Sequence, residues 1–201
     1  GLWIKREGSE KMIIAMWVDD FLGWTTSTTM RDEFDKTVQL RFGKSRMQCG
    51  DTLPFLGMSI SQPTRQGEVF VSMREYTRRI VETSGVTSTC ETPNHRYLTT
   101  AKPNNCEPVN STVFLSLLMS ALFLGKRTRP EILTPLSILQ NRSTSPDQYD
   151  MMALLQVFKY LRGTIDKRIR FSPKKIVLHY WVDASYASSD DCRGHNGIMA
   201  T

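Results

Sequence analysis

The spacing of apolar residues changes along the chain, and the first distinctive pattern lies near its beginning. Residues 12–17 are apolar or aromatic, Asp19 and Asp20 follow, and a second apolar run starts immediately after them. Two such runs separated by two polar residues predict a β-hairpin with Asp19 and Asp20 at its tip. Asp tolerates a positive φ better than most residues, so this turn is sterically acceptable.

The pattern then alternates between a helical and an extended period. Residues 29–42 carry apolar side chains at every fourth position, which predicts an amphipathic helix that Gly43 ends. Residues 53–61 alternate and predict one strand, residues 65–68 predict a turn, and a returning strand is expected to begin at residue 69.

The second half of the chain has mainly helical spacing. Ser72 and Glu75 have the spacing of a capping box, and the helix they would open is expected to end at Gly85. Its core-facing side would carry Tyr76, Ile80 and Val81.

Three further helices are predicted over residues 111–124, 128–141 and 145–162. The first is strongly apolar on several faces, including Val113, the second has Pro130 in its first turn, and the third would be capped by Ser145. Short connections between them predict a small helical bundle. Two β-rich segments, 168–172 and 176–182, then predict a separate sheet, with Asp183 at the end of a buried strand.

Charge and composition narrow the possible partners. The 201 residues carry a formal charge of +6, which favours a polyanion such as nucleic acid. Arg74, Arg78 and Arg79 lie on one predicted helix, where they form either a solvated basic face or a contact with a nucleic-acid backbone. No apolar run is long enough to cross a bilayer, and no signal peptide is evident. The cysteines lack paired spacing, which predicts free thiols rather than zinc or disulfides.

Asp19 and Asp20 admit two interpretations. They form either a solvated acidic turn or a site for a divalent metal, because hard carboxylate oxygens suit Mg²⁺. Two metals held in this way stabilise the attacking and leaving oxygens of an in-line phosphoryl displacement. Asp183 is similarly either a turn residue or a catalytic carboxylate. The hairpin alone leaves this choice open.

Five segments, taken in order, extend the interpretation. Together they resemble the pol polyprotein of copia-type (pseudovirus) retrotransposons, over nearly the whole chain. "MWVDDFLG" is similar to the catalytic hairpin of reverse transcriptase, and "LPFLGMSIS" is similar to its primer grip. The connection region is resembled by "RTRPEILTPLSILQNRSTSP" and "VFKYLRGTIDKRIRF". The start of ribonuclease H is resembled by "VDASYASSDDCRGHNG". Trp17, where the family usually has Tyr, and Met119, where a small residue is expected, depart from the family pattern.

The resemblance implies an α+β fold. Residues 1–71 would form the end of a polymerase palm, with an antiparallel hairpin and a β-ribbon. Residues 72–165 would form a helical thumb and connection bundle. Residues 166–201 would form the first strands of a ribonuclease H-like domain. The resemblance assigns metal binding and catalysis to Asp19 and Asp20 for the polymerase and to Asp183 for the ribonuclease H. It places Phe55, Leu56 and Gly57 in the primer grip.

The implied cofactor is Mg²⁺ or Mn²⁺ in the intact parent enzyme. The implied partners are an RNA/DNA primer–template, deoxynucleotides and the remainder of the pol polyprotein, with no membrane, in cytoplasmic virus-like particles and the nucleus. Polymerase catalysis in the family needs a further palm aspartate and the fingers, and ribonuclease H needs later carboxylates. We therefore expect this chain alone to be inactive and prone to self-association through open sheet edges. The alternatives are a non-catalytic nucleic-acid-binding piece or a degenerate retrotransposon remnant.

Overall fold

The computed structural model describes residues 1–63, 67–103, 105–172, 179–185 and 195–200. It divides into two units, Gly1–Phe171 and Ser172–Thr201. Within the described residues the chain is α+β, with small antiparallel sheets and five α-helices. The domain boundaries predicted at residues 71/72 and 165/166 stay predictions, because the division into two units does not test them.

The first sheet has three antiparallel strands, where the sequence predicted two. In order across the sheet these are β1 (Leu2–Glu7), β2 (Glu10–Trp17) and β3 (Asp20–Thr25). Gly8, at φ 58°, begins the tight connection between β1 and β2, where Glu7 pairs with Glu10. The additional strand gives β2 a partner on both edges.

The turn between β2 and β3 differs by one residue from the prediction. Trp17 pairs with Asp20, so Val18 and Asp19 form the two-residue turn and Asp20 begins β3. The reason is register, since slipping by one residue would turn every side chain of the strand to the opposite face. The observed register keeps Ile14 and Met16 on the face that a helix covers.

The predicted amphipathic helix is confirmed as α1 (Thr28–Phe42). The Ser27 hydroxyl accepts a hydrogen bond from the Met30 amide and caps its first turn. Met30 packs with two side chains of β2, and Phe34 packs against this small core. The apolar positions near the C-terminal end of the helix, by contrast, are exposed.

A second antiparallel sheet contains four strands. In order these are β4 (Thr52–Phe55), β5 (Met58–Ser61), β6 (Val69–Ser72) and β7 (Ile169–Phe171). The single strand predicted over residues 53–61 is wrong, because Leu56 and Gly57 both have positive φ, 52° and 77°, and turn the chain back as a hairpin. The turn predicted at residues 65–68 lies largely outside the described residues.

β7 also corrects the prediction for the end of the chain. Segment 168–172 was expected to share a sheet with segment 176–182, yet β7 pairs antiparallel with β6, with Phe70 opposite Arg170. Period-2 spacing predicts a strand but carries little information about its partner. The second sheet therefore joins residues about a hundred positions apart in sequence.

The predicted helical bundle is present and contains the main core of the chain. Its helices are α2 (Arg74–Ser84), α3 (Ser111–Gly125), α4 (Leu133–Asn141) and α5 (Gln148–Gly163), with short 3-10 helices at Arg96–Leu98 and Pro130–Ile132. Phe114, Leu118, Leu154 and Phe158 are fully buried at its centre. Val113, predicted to face inward, is exposed.

Two of the predicted helix starts are wrong. Ser72 is the last residue of β6, and Met73 occupies the N-cap of α2 without a side-chain hydrogen bond. Because the strand ends only at Ser72, its hydroxyl does not cap the helix. The predicted end is confirmed, since Gly85 lies in the left-handed region at φ 73°.

The cap of α5 is Asp147 rather than Ser145. Asp147 accepts hydrogen bonds from the Tyr149 and Asp150 amides, and the Asp150 carboxylate accepts one from the Asp147 amide, which completes a capping box. Lys102 forms ion pairs of 2.7 Å with both aspartates. This network ties the loop before α3 to the start of α5.

Arg129 is the largest fully buried side chain of the bundle. Its guanidinium donates hydrogen bonds to the carbonyl and the hydroxyl of Thr164, the residue after α5, and forms a 2.7 Å ion pair with Glu131. A buried cation is tolerated only when it is paired and hydrogen-bonded, as here. These hydrogen bonds satisfy the carbonyl and the hydroxyl of Thr164 just after α5. They thereby fix the direction in which the chain leaves the helix toward β7.

The second unit contains a two-stranded antiparallel hairpin. Its strands are β8 (Tyr180–Ser185) and β9 (His195–Ala200). Asp183 lies within β8, opposite Gly197, and is exposed, so its predicted position at the end of a buried strand is wrong. Residues 176–178 of the predicted strand lie outside the described residues.

Two exclusions from the sequence can be compared with the structure. Cys49, Cys90 and Cys106 are free thiols, as predicted, and Cys192 lies outside the described residues. Among the described helices, none combines the length and apolar character needed to cross a membrane.

Candidate metal and nucleic-acid sites

Asp19 and Asp20 lie at the exposed end of the first sheet. Asp19 occupies the turn, and Asp20 pairs with Trp17 at the start of β3. Side chains alternate between the faces of a strand, so Asp20 shares its face with Trp17 and Trp24, which are 62% and 50% exposed. This is the face opposite α1. The two carboxylates are therefore placed at an open edge of the sheet.

The turn that presents these carboxylates is strained. Val18 has φ 53°, a conformation that β-branched residues rarely adopt. Such a backbone costs about 1–3 kcal/mol and persists only where the surrounding structure determines it, in this case through the register of β2 and β3. Strain of this kind concentrates at functional sites.

The two carboxylates fit part of a magnesium site. Both are exposed, and neither forms a salt bridge within the described ranges. Consecutive carboxylates repel each other, and a divalent cation would relieve that repulsion while accepting hard oxygen ligands. No group of three or more His, Cys, Asp or Glu side chains suited to a metal is found among the described residues. Asp19 and Asp20 are therefore two adjacent carboxylates with no third metal-ligating side chain grouped with them among these residues.

The predicted primer-grip residues form the turn of the β4–β5 hairpin. Leu56 and Gly57 are its two central residues, and Phe55 pairs with Met58. Positive φ at both central positions is the type I′ pattern, which matches the twist of a tight hairpin. Met58 packs against the core of the bundle, so the helices hold this hairpin beside its turn.

The three predicted arginines have different environments. Arg74 forms a 2.6 Å ion pair with Asp166, and Arg78 forms one of 2.6 Å with Glu75. Arg79 instead lies 5.2 Å from the centre of the Tyr76 ring and has no carboxylate partner in the part of the chain that the structure describes. The charge of Arg74 and Arg78 is locally balanced, whereas that of Arg79 is not.

The structure also brings together a pair that the sequence analysis missed. Arg127 lies with its guanidinium carbon 3.6 Å from the centre of the Phe123 ring, and Phe123 contacts Tyr76 with 5.0 Å between ring centres. Phe123 and Arg127 are four residues apart, but the helix predicted over residues 111–124 ended before Arg127, so the spacing did not signal the contact. Their contact with α2 depends on the packing of the two helices.

Asp183 belongs to the second unit, in strand β8. Its strand β8 presents an exposed surface that includes Tyr180 and Val182. The assignment of Asp183 to a ribonuclease H site stays a prediction.

Comparison with known proteins gives a family match for the N-terminal part of the chain. Residues 1–96 match the family described as reverse transcriptase (RNA-dependent DNA polymerase). A Saccharomyces cerevisiae protein described as a transposon Ty5-1 protein is 24% identical over an alignment 211 residues long. Together these two similarities support a copia-type retrotransposon pol fragment.

The alignment also shows how much of the relative is represented. It includes 100% of this chain and 65% of the length of the yeast protein. No solved structure gives a significant match to the chain.

Proposed function

We propose that this chain contributes part of the metal site and part of the primer site of an RNA-directed DNA polymerase. The observation that carries the proposal is a pair of exposed carboxylates, Asp19 and Asp20, presented by a strained turn within the residues that match the reverse transcriptase family. Template-directed nucleotidyl transfer by two metals requires such oxygen ligands.

Each part of the chain has a limited role in this proposal. Asp19 and Asp20 would hold Mg²⁺ or Mn²⁺, and the bound metals would stabilise the charge that develops on the reacting phosphate. The turn at Leu56 and Gly57 would position the primer strand. Because only two carboxylates come together among the described residues, we propose that the chain alone binds a primer–template without extending it.

A metal-binding experiment tests the first role without relying on activity. Mn²⁺ added to the full chain should quench the fluorescence of Trp17, which adjoins the carboxylates. Asp19→Asn combined with Asp20→Asn should abolish this quenching, because the hard ligands are lost. Glu10→Gln removes a charge from the opposite end of the same sheet and should leave quenching unchanged. Equal quenching in all three proteins would contradict the proposal.

Primer extension tests the second role. The full chain with a primer–template, deoxynucleotides and Mg²⁺ should give no extension above the level of the Asp19→Asn variant. Extension by the original chain that disappears in Asp19→Asn would show that it is a complete polymerase and would overturn the proposed inactivity.

The second candidate function is nucleic-acid binding without catalysis, by a retained piece of the element. The observation in its favour is a set of cations without carboxylate partners among the described residues, which includes Arg79 and Arg127. Affinity for a primer–template should then fall as salt rises. Absence of binding at low salt would exclude this function. The ribonuclease H role of Asp183 and the cellular location are further proposals from the family resemblance.

A further inference from the structure

Four side chains form a continuous row across α2, α3 and the turn that follows α3. Arg79 lies 5.2 Å from the ring centre of Tyr76, Tyr76 lies 5.0 Å from Phe123, and Arg127 lies 3.6 Å above Phe123. The Tyr76 hydroxyl donates a 3.1 Å hydrogen bond to the Ser120 carbonyl, which fixes its ring against α3. We call these four residues the arginine–aromatic row.

The row carries positive charge that no carboxylate of the described residues balances. Neither Arg79 nor Arg127 has a carboxylate partner among the described residues, and the same holds for the adjacent, exposed Lys126. The nearby Arg74 and Arg78 are each paired with a carboxylate at 2.6 Å. An anionic partner would therefore gain more from the row than from the paired arginines.

The row continues into an apolar stripe on α3. Leu115, Met119 and Phe123 are 42%, 44% and 38% exposed, and each lies four residues from the next, so they share one face of the helix. The opposite face of α3 supplies the bundle core. An exposed stripe of this kind on a helix that already packs its other face indicates an interaction surface.

The combination of positive charge and exposed apolar side chains favours one class of anionic partner. Single-stranded nucleic acid offers both a charged backbone and flat, apolar base faces that stack on aromatic rings. A duplex stacks its bases on one another and presents mainly phosphates to such a surface, so it would leave the apolar stripe without a partner. Single strands therefore fit both features of the surface.

We propose that the arginine–aromatic row and its apolar stripe bind single-stranded nucleic acid, with Arg79 and Arg127 on phosphates and Phe123 against a base. This inference rests on the nucleic-acid binding proposed above and names a different surface from Arg74 and Arg78.

Fluorescence anisotropy with the full chain tests the proposal. The probes are a labelled oligodeoxythymidylate and a blunt duplex with the same number of phosphates. The original chain should bind the single strand more tightly. Arg79→Gln with Arg127→Gln should lower the slope of log affinity against log salt by about 0.7 per lost phosphate contact. Arg74→Gln with Arg78→Gln removes the same formal charge from paired positions and should have little effect.

A third variant separates stacking from charge. Phe123→Leu keeps an apolar side chain but removes the ring, so it should weaken binding of the single strand about tenfold without changing the salt slope. Circular dichroism and the thermal midpoint show whether each variant is folded. Phe123 and the two arginines are not part of the buried core, so the fold should be retained.

The outcomes separate this inference from the proposed function. If the original chain binds a primer–template but the Arg79 and Arg127 variant binds the single strand equally well, the inference is wrong and the proposed function stands. Equal or tighter binding of the duplex overturns the choice of a single strand. Binding of an acidic peptide in preference to either probe would show that the surface recognises protein. If the original chain binds neither nucleic acid, the binding proposed above fails as well.

Discussion

The helical bundle and the first sheet differ in how they use apolar residues. The bundle surrounds a large core in which Phe114 and Phe158 are fully buried. The sheet has a small core of Met12, Ile14 and Met30 on one face, while its other face is open. The candidate metal ligands lie on the sheet, so the chemistry and most of the stabilising burial are in different parts of the chain.

This difference has a physical basis. Burial of apolar area is the dominant stabilising contribution, and it needs side chains enclosed on all sides. A site for a polyanion and a metal has to remain open to solvent and cannot be enclosed in the same way. Functional elements are accordingly drawn from the less stable parts of a structure.

The largest expected effect tests the unequal contribution of the two cores. Phe158→Ala should reduce the free energy of unfolding by about 3–5 kcal/mol, because it leaves a cavity in an enclosed site. Phe34→Ala in α1 should cost less, about 1–2 kcal/mol, since Phe34 is only half-buried against Trp3 and Phe21. Urea unfolding followed by circular dichroism measures both. Equal losses would break the comparison.

A smaller effect concerns the charged network of the bundle. Burial alone would raise the pKa of Asp147, but the hydrogen bond and charge of Lys102, with the backbone amides of Tyr149 and Asp150, lower it below its ordinary value. A carboxylate with a lowered folded pKa stabilises the protein above its unfolded value of about 3.9. That stabilisation is lost as the pH falls through the lower, folded value.

Asp147→Asn isolates the contribution of the carboxylate charge, because Asn is also a good N-cap. The variant should be about 1 kcal/mol less stable at neutral pH, where the ion pair with Lys102 is lost. The two proteins should converge in urea midpoint as the pH falls below the folded pKa of Asp147. A difference that persists unchanged into strong acid would show that the carboxylate charge is not responsible.

The smallest effect has the opposite sign and concerns the strained turn. Val18→Gly should raise the free energy of unfolding by about 0.5–1 kcal/mol, because glycine adopts φ 53° without a steric penalty and Val18 is exposed. Val18→Ala keeps a Cβ atom and should recover less of this stability. Thermal unfolding measures both variants. A destabilised Val18→Gly protein would mean that the turn is not strained.

Local patterns predicted the elements better than their ends. The four-residue spacing of residues 29–42 and the apolar run of 111–124 predicted α1 and α3 correctly. The caps at Ser72 and Ser145 were wrong, because a hydroxyl caps a helix only where the first free amides lie within its reach. The difference at Asp19 and Asp20 has the same character, since a neighbouring strand selects the register.

The amino-acid sequence by itself determined where the α-helices form, that the paired carboxylates follow an apolar strand, and which family the chain resembles. These properties depend on side-chain period and on residues that are neighbours in the chain. Only the tertiary structure decided that β7 pairs with β6, that Asp166 balances Arg74, and that Phe123 meets Tyr76. Each of these contacts joins residues distant in sequence, and only the packing of complete elements brings them together.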